Sequence, residues 1–313
     1  MKRNLLLLTG AAFLILLAFG CRQAKPQKAE GKINVTSVTF PSYDFVRAIA
    51  GDRVNLVMLL PPGSESHSYE PRPLDILTIR ESDIFIYPGG ENSKWVDRIL
   101  ESMNLPEDKM TVLKLMDLVE VVEEELVEGM EDDNDEETIF DEHVWTSPRN
   151  AKTIVTAITD TLCEKDSVNG DFYRQNAADY SARLDELDAS FRSIVEGAKR
   201  KTIIFGDRFP FRYLADAYGL SYFAAFPGCS TETEPSAATV AFLINKVRSE
   251  QVSVIFHIEL SNERMADTIS EATGAKKLLL HSCHNITRKE FESGVNYLDL
   301  QRVNVEHLRE ALR

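Results

Sequence analysis

Short apolar runs with strand character alternate with amphipathic helical segments along the chain, and this alternation is the strongest constraint on its fold. The first half contains four strand-like runs, at 32–39, 54–60, 83–87 and 111–118. Helical spacing of apolar residues falls between them, at 41–51, 74–82 and 95–103. Strands that alternate with helices predict a mainly parallel sheet covered by helices on both faces.

The second half repeats this order. Its strand-like runs are 201–205, 220–226, 252–258 and 277–280, and its helical segments are 211–217, 236–250 and 262–272. Between the halves, apolar residues recur every three or four positions from Phe172 to Lys199. This spacing favours one long rigid helix over two shorter helices with a break. We therefore predict an α/β fold with two lobes, residues 32–169 and 200–313, joined by a helix over 170–199.

The amino terminus has the pattern of an export signal. A basic start, Met1-Lys2-Arg3, precedes an apolar run from Leu5 to Phe19 that is too short to span a hydrocarbon core of roughly 30 Å. The run ends in Leu-Ala-Phe-Gly-Cys21, which resembles the lipobox of bacterial lipoproteins. We expect residues 1–20 to be the signal peptide, Cys21 to carry the lipid, and 21–31 to be a flexible tether on the outer face of the cell membrane. The alternative is an ordinary signal peptide with an incidental cysteine.

Acidic residues dominate the charge of the chain. There are 50 Asp and Glu against 35 Lys and Arg, a formal net charge of −15. This balance disfavours nucleic acid as a partner and favours cations. The segment 120–142 alone holds 13 acidic residues and no Lys or Arg, so that self-repulsion predicts a mobile loop there.

Four of the six histidines lie in polar loops: His67, His143, His281 and His284. In an open α/β sheet, ligands bind beyond the carboxyl ends of the strands. Three of these loops can therefore converge on one cleft and offer imidazoles to a metal ion. His257 and His307 lie inside a predicted strand and a predicted helix, and we assign them structural roles.

Two of these loops carry recognisable motifs. Gly-Ser-Glu-Ser-His67-Ser-Tyr-Glu-Pro resembles the first ligand loop of the cluster A-I metal-binding proteins, the zinc and manganese receptors of ABC transporters. Asp-Glu-His143-Val-Trp resembles their Asp-Pro-His-x-Trp motif, with Glu142 in the place of the proline. The resemblance covers essentially residues 32–313. It implies two Rossmann-like lobes with the metal between them, a monomer that delivers its ion to a membrane permease, and no enzymatic activity.

The sequence departs from the resembling family at one expected ligand position. The third histidine of the family falls on Arg208, and a guanidinium cannot ligate a metal. Asp207 could substitute, or Arg208 could pair with a carboxylate. The family's fourth position, usually Asp, aligns with His281. The predicted ligands are therefore His67, His143 and His281, with His284 and Asp207 in reserve. Three imidazoles favour Zn(II), and Mn(II) is the runner-up.

The cysteines and the rival functions complete the expectations. Cys229 and Cys283 follow predicted strands of the second half, and we expect a disulfide or unpaired structural thiols rather than ligation by Cys283. Cys163 falls on a helical stripe and is assigned to the core. A secreted zinc hydrolase is the main rival and a surface adhesin the second. The chain lacks His-Glu-x-x-His and Gly-x-Ser-x-Gly motifs.

Overall fold

Two four-stranded sheets, each wholly parallel, organise the chain. The computed structural model describes residues 31–66, 68–106, 108–130, 139–230 and 234–313. The first sheet has the order β2-β1-β3-β4 and consists of β1 (Asn34–Ser37), β2 (Asn55–Met58), β3 (Ile84–Tyr87) and β4 (Thr111–Lys114). The second has the order β10-β9-β5-β7 and consists of β5 (Thr202–Phe205), β7 (Ser221–Phe223), β9 (Val254–His257) and β10 (Lys276–Leu279).

A separate two-stranded pair lies in the second half. It joins β6 (Arg208–Phe209) to β8 (Phe226–Pro227), also in parallel. The pattern of 220–226 predicts one strand, whereas the structure divides it into β7 and β8 and adds β6. Two strands of two residues each offer too short a pattern to be seen in the sequence.

Helices connect the strands and cover the sheets. Within the described residues they are α1 (Phe40–Ala50), α2 (Pro73–Arg80), α3 (Lys94–Met103), α4 (Pro148–Lys165), α5 (Gly170–Glu196), α6 (Arg212–Tyr218), α7 (Ala237–Ser249), α8 (Arg264–Thr273), α9 (Arg288–Ser293) and α10 (Tyr297–Ala311). The predicted fold class, α/β with two parallel sheets and a long connecting helix, is confirmed.

The long helix α5 is continuous for 27 residues, so the alternative of two helices with a break is wrong. Its buried residues recur at intervals of three and four, which is the spacing of one helical face: Tyr173, Ala177, Tyr180, Leu184, Leu187, Phe191 and Val195. This face packs on α4, α1, α10 and α6. The helix therefore touches elements of both halves and joins them stiffly.

Three apolar cores among the described residues stabilise this arrangement. The largest runs from Val35 to Leu312 and includes the buried face of α5. A smaller core around Phe85 and Val96 lies in the first half, and another around Ile255 and Leu243 lies in the second. Buried side chains on both sides of a sheet are typical of parallel sheets. No helix in the described part of the chain is long and apolar enough to cross a membrane.

The two described ends of the acidic segment are joined by backbone hydrogen bonds, and the mobile loop expected over 120–142 stays a prediction. The backbone N–H of Glu124 donates to Ile139 O at 2.8 Å, and that of Asp141 to Val122 O at 3.0 Å. Val122 packs against the core, which offsets the repulsion between the neighbouring carboxylates. Residues 131–138 lie outside the described residues.

Candidate metal centre

Polar groups from both halves meet beyond the carboxyl ends of the strands. The loop after β2 brings Glu65 and Ser66, and the loop after β10 brings His284. The segment just before α4 contributes His143. The carboxyl ends of the strands of both sheets therefore face one cleft. This is the end of the sheet at which α/β proteins bind ligands.

Three buried donors cluster in this cleft: Glu142, His143 and His284. One ligand atom from each lies within 4.8 Å of the others. The rings of the two histidines stand nearly perpendicular, with centroids 5.1 Å apart. Two imidazoles and a carboxylate at this spacing form a site that can hold a transition-metal ion.

Asp141 orients the ring of His143. Its Oδ1 accepts the backbone N–H of His143 at 2.7 Å and lies 3.1 Å from Nδ1 of the same residue. When Asp141 is ionised it can only accept, so that Nδ1 then carries the proton and Nε2 keeps its lone pair. A carboxylate behind a histidine is the usual partner of a metal-binding imidazole. Burial raises the pKa of Asp141 to about 7.

Glu259 holds the loop that carries His284. Its Oε1 accepts the Ser282 hydroxyl at 2.5 Å and the His284 backbone N–H at 3.1 Å, and its Oε2 accepts the Ser282 backbone N–H at 2.7 Å. Cys283 between them adopts the left-handed conformation, with φ 63°. The resulting turn directs residue 284 back into the cleft, where Nδ1 lies 3.3 Å from Ser66 Oγ.

One carboxylate oxygen of Glu142 accepts a hydrogen bond and the other does not. Asn92 Nδ2 donates to Oε1 at 3.2 Å. Oε2 is buried and has no hydrogen-bond partner among the described residues. Burial raises the pKa of Glu142 to about 8. Buried carboxylates are usually paired or bound to a metal, and this one has a donor atom to spare.

The space at the centre is small. A cavity lined by His143, Arg208, Glu259 and His284 has a volume of about 20 Å³, and a second, lined by Glu142 and His284, is also about 20 Å³. Each has room for about one water-sized group. A bare metal ion fits a space of this size.

His281 lies outside the cluster, contrary to its choice as the third ligand. Its Nδ1 accepts the Cys283 backbone N–H at 3.0 Å, so Nε2 carries the proton. Asn304 of α10 holds both the backbone N–H and the carbonyl of His281, each at 2.8 Å. Residue 281 lies only two positions beyond the end of β10. The structure brings the reserve candidate, His284, to His143 instead.

The other predicted residues occupy different places. Asp207 turns to the backbone, because its two oxygens accept the N–H groups of Arg208 at 2.9 Å and Ile258 at 3.2 Å. Cys229 and Cys283 are free, so the disulfide is not formed. Cys283 is instead buried beside Gln301, whose Nε2 donates to its sulfur at 3.5 Å.

Two predicted positions, His67 and Cys21, lie outside the described residues. Glu142, Asn92 and Glu259 were not predicted as site residues. A carboxylate in the place of a motif proline was the available signal for Glu142. Nothing in the local sequence of Asn92 or Glu259 indicated that either would support the site.

A two-lobed α/β receptor with a buried ion site is the class that this fold and centre define. Residues 35–311 match the family of the periplasmic zinc-uptake complex component A. The chain is 31% identical over 310 residues to the high-affinity zinc uptake system protein ZnuA of Bacillus subtilis, covering 98% of this chain and 97% of that protein. It is also 31% identical to the zinc-binding lipoprotein AdcA of Streptococcus pneumoniae, of which it spans 61%.

Solved structures agree with the fold. The Zn(II)-bound ZnuA-like domain of Streptococcus pneumoniae AdcA has a TM-score of 0.74 and 29% identity, covering 90% of this chain and 99% of that domain. The chain belongs to the zinc-uptake component A family of solute-binding proteins. The resemblance to the cluster A-I metal receptors is confirmed, and the family is not enzymatic.

Proposed function

We propose that this protein captures Zn(II) outside the cytoplasm and hands it to the permease of an ABC transporter. The observation that carries the proposal is the pair of buried imidazoles, His143 and His284, with ring centroids 5.1 Å apart beside a cavity of about 20 Å³. Their positions on opposite sides of the cleft support capture by enclosure, since an ion held there touches both halves of the chain.

The donor chemistry favours zinc over manganese. Imidazole nitrogen is a preferred donor for zinc, whereas manganese prefers carboxylate, carbonyl and water oxygens. His67 is proposed as a further imidazole ligand, because Ser66 beside it lies 3.3 Å from His284. The zinc-binding relatives in Bacillus and Streptococcus support the same choice. Mn(II) remains the competing ion.

The partners and the location extend the proposal. Lipidation at Cys21, with residues 21–31 as a tether, would keep the receptor near its permease at the membrane. The name of the streptococcal relative, a zinc-binding lipoprotein, supports this anchor. Metabolic labelling with a fatty acid, compared between the parent and a Cys21→Ala variant, tests it directly.

Zinc titration against a competing chelator tests the function. The parent should bind one Zn(II) tightly, and His143→Ala and His284→Ala should each weaken binding by more than about tenfold, because each removes a direct donor. His257→Ala is the matched control, since this strand histidine lies away from the cluster. Tight binding that survives both cleft substitutions would refute the site. His281→Ala separates the two candidate ligands of the second half: an unchanged affinity supports His284.

A further inference from the structure

We propose that Glu142 is a metal ligand that this chain carries in place of the one it lacks at Arg208. The inference rests on the proposed function, because it concerns the same metal centre. Two residues depart from the motifs of the resembling family: a glutamate stands where a proline is usual, and an arginine stands where a histidine is usual. Arg208 lines the cavity that His143 and His284 also line, Glu142 lines the neighbouring cavity, and His284 belongs to both.

The side chain of Glu142 is buried and fixed, with one carboxylate oxygen left for a metal ion. Its side chain is only 1% exposed. Asn92 fixes Oε1 at 3.2 Å, and Oε2 has no hydrogen-bond partner in the described part of the chain. A carboxylate oxygen of Glu142 lies within 4.8 Å of ring nitrogens on His143 and His284. A buried carboxylate oxygen without a partner is costly in an apolar interior, and a metal ion satisfies it.

The neighbouring loop is shaped to admit this carboxylate. A Cβ on Gly90 would lie 2.8 Å from Glu142 Oε2 and 2.9 Å from Glu142 Cβ. Gly90 also has φ +75°, a conformation that other residues rarely adopt. The same loop supplies Asn92. The loop after β3 therefore makes room for Glu142 and holds one of its oxygens.

Arg208 contributes a positive charge but no atom that can ligate a metal. It lines the cavity that His143 and His284 also line. Its Nη2 donates to Glu65 Oε1 at 3.1 Å and its Nη1 to Ser230 O at 3.2 Å. A guanidinium has no lone pair to offer. The carboxylate of Glu142 restores the number of donors, and its negative charge offsets the guanidinium beside a bound cation.

The exchange can be tested by reversing it. Glu142→Gln keeps the size of the side chain but removes its charge, and Glu123→Gln is the control, an exposed acidic residue of the same segment. We expect Glu142→Gln to weaken zinc binding by more than about tenfold, and Glu123→Gln to leave it unchanged. The melting temperature of metal-free Glu142→Gln should be equal to or above that of the parent, because no internal partner of Oε2 is lost.

The double variant Glu142→Pro, Arg208→His then installs both family residues. Glu142→Pro alone should bind zinc as poorly as Glu142→Gln, and the added Arg208→His should recover most of the parent affinity. An unchanged affinity in Glu142→Gln would overturn the proposal, as would a lowered melting temperature or a double variant without recovery. Failure of the parent itself to bind zinc would instead refute the proposed function.

Discussion

Arg208 and Glu65 form an ion pair across the cleft, with Nη2 and Oε1 3.1 Å apart. Glu65 belongs to the loop after β2, two positions before His67, and Arg208 to β6 in the second half. The expected pairing of Arg208 with a carboxylate is thus present. The side chain of Arg208 is 9% exposed and that of Glu65 is 33% exposed, so solvent screens the pair only in part.

This ion pair should slow the release of the metal by holding the cleft shut. An ion pair of this kind contributes about 1 kcal/mol or less, so Arg208→Gln should speed zinc dissociation by up to about fivefold. Charge alone predicts the opposite, because removal of a cation beside Zn(II) should slow dissociation. Stopped-flow release into a chelator measures the rate.

The double variant Glu65→Gln, Arg208→Gln completes the cycle. Because both residues act through one contact, it should release zinc no faster than the faster single variant. Arg309→Gln, which removes a partly exposed arginine on α10, is the control for a general loss of positive charge. Slower release from Arg208→Gln would show that the repulsion between Arg208 and Zn(II) outweighs the ion pair between Arg208 and Glu65.

The fold could be predicted from the sequence because its signals are local and repeated. Eight strand-like runs alternate with six helical segments, and the spacing from Tyr173 to Val195 indicates α5 by itself. The acidic segment was harder to interpret. Its charge is visible in the sequence, but the contact of Val122 with Tyr213, whose hydroxyl accepts the Val122 N–H at 3.3 Å, joins residues far apart in the chain.

The site was less predictable, because its exact donors depend on turns rather than on patterns. His281 and His284 are three residues apart and look equivalent in the sequence. They take different positions because the backbone at Cys283 is left-handed and because Asn304 forms hydrogen bonds with the backbone of His281. Neither feature has a sequence signature. The role of Glu142 likewise depends on Asn92 and Gly90, which lie on a separate loop.

Asp141 should set the affinity of the site without touching the metal. Asp141→Asn keeps the size of the side chain but replaces a pure acceptor, so the His143 ring loses the charge that fixes its tautomer. Loss of such a partner typically costs about 10–100-fold in metal affinity. Chelator competition should show this loss. Asp207→Asn is the comparison, because Asp207 is half-buried and turned to the backbone. Equal losses in both variants would mean that general destabilisation is the cause.

The metal-free protein should lose stability as the pH rises, and zinc should reverse this trend. Burial raises the pKa of Glu142 from 4.5 to about 8 and that of Asp141 from 3.8 to about 7. Above the usual carboxyl pKa the folded chain therefore binds more protons than the unfolded chain, so the free energy of unfolding falls as the pH rises from about 4.5 towards about 8. Urea denaturation at about pH 5.5 and about pH 8 measures it.

Zinc binding competes with the same protons. The affinity should rise with pH up to about 8, and calorimetry in buffers of different ionisation enthalpy should detect proton release on binding. Glu142→Gln should flatten both the stability profile and the affinity profile. A profile that is equally steep in this variant would assign the dependence to another group.

Trp145 should report the metal by fluorescence. Its buried ring packs edge-on against both cleft histidines, with centroids 5.1 Å from His284 and 5.5 Å from His143. The chain has two tryptophans, and the other, Trp95, lines the second cavity beside Glu142 and His284.

In Trp95→Phe the whole remaining tryptophan emission comes from Trp145. We expect zinc to alter the emission of this variant and Co(II) to quench it, because the ion would bind directly beside the indole. His284→Ala in the same background should remove the response. If Trp95→Phe itself abolishes the response, the ion lies on the Trp95 side of the cluster, away from the Trp145 ring.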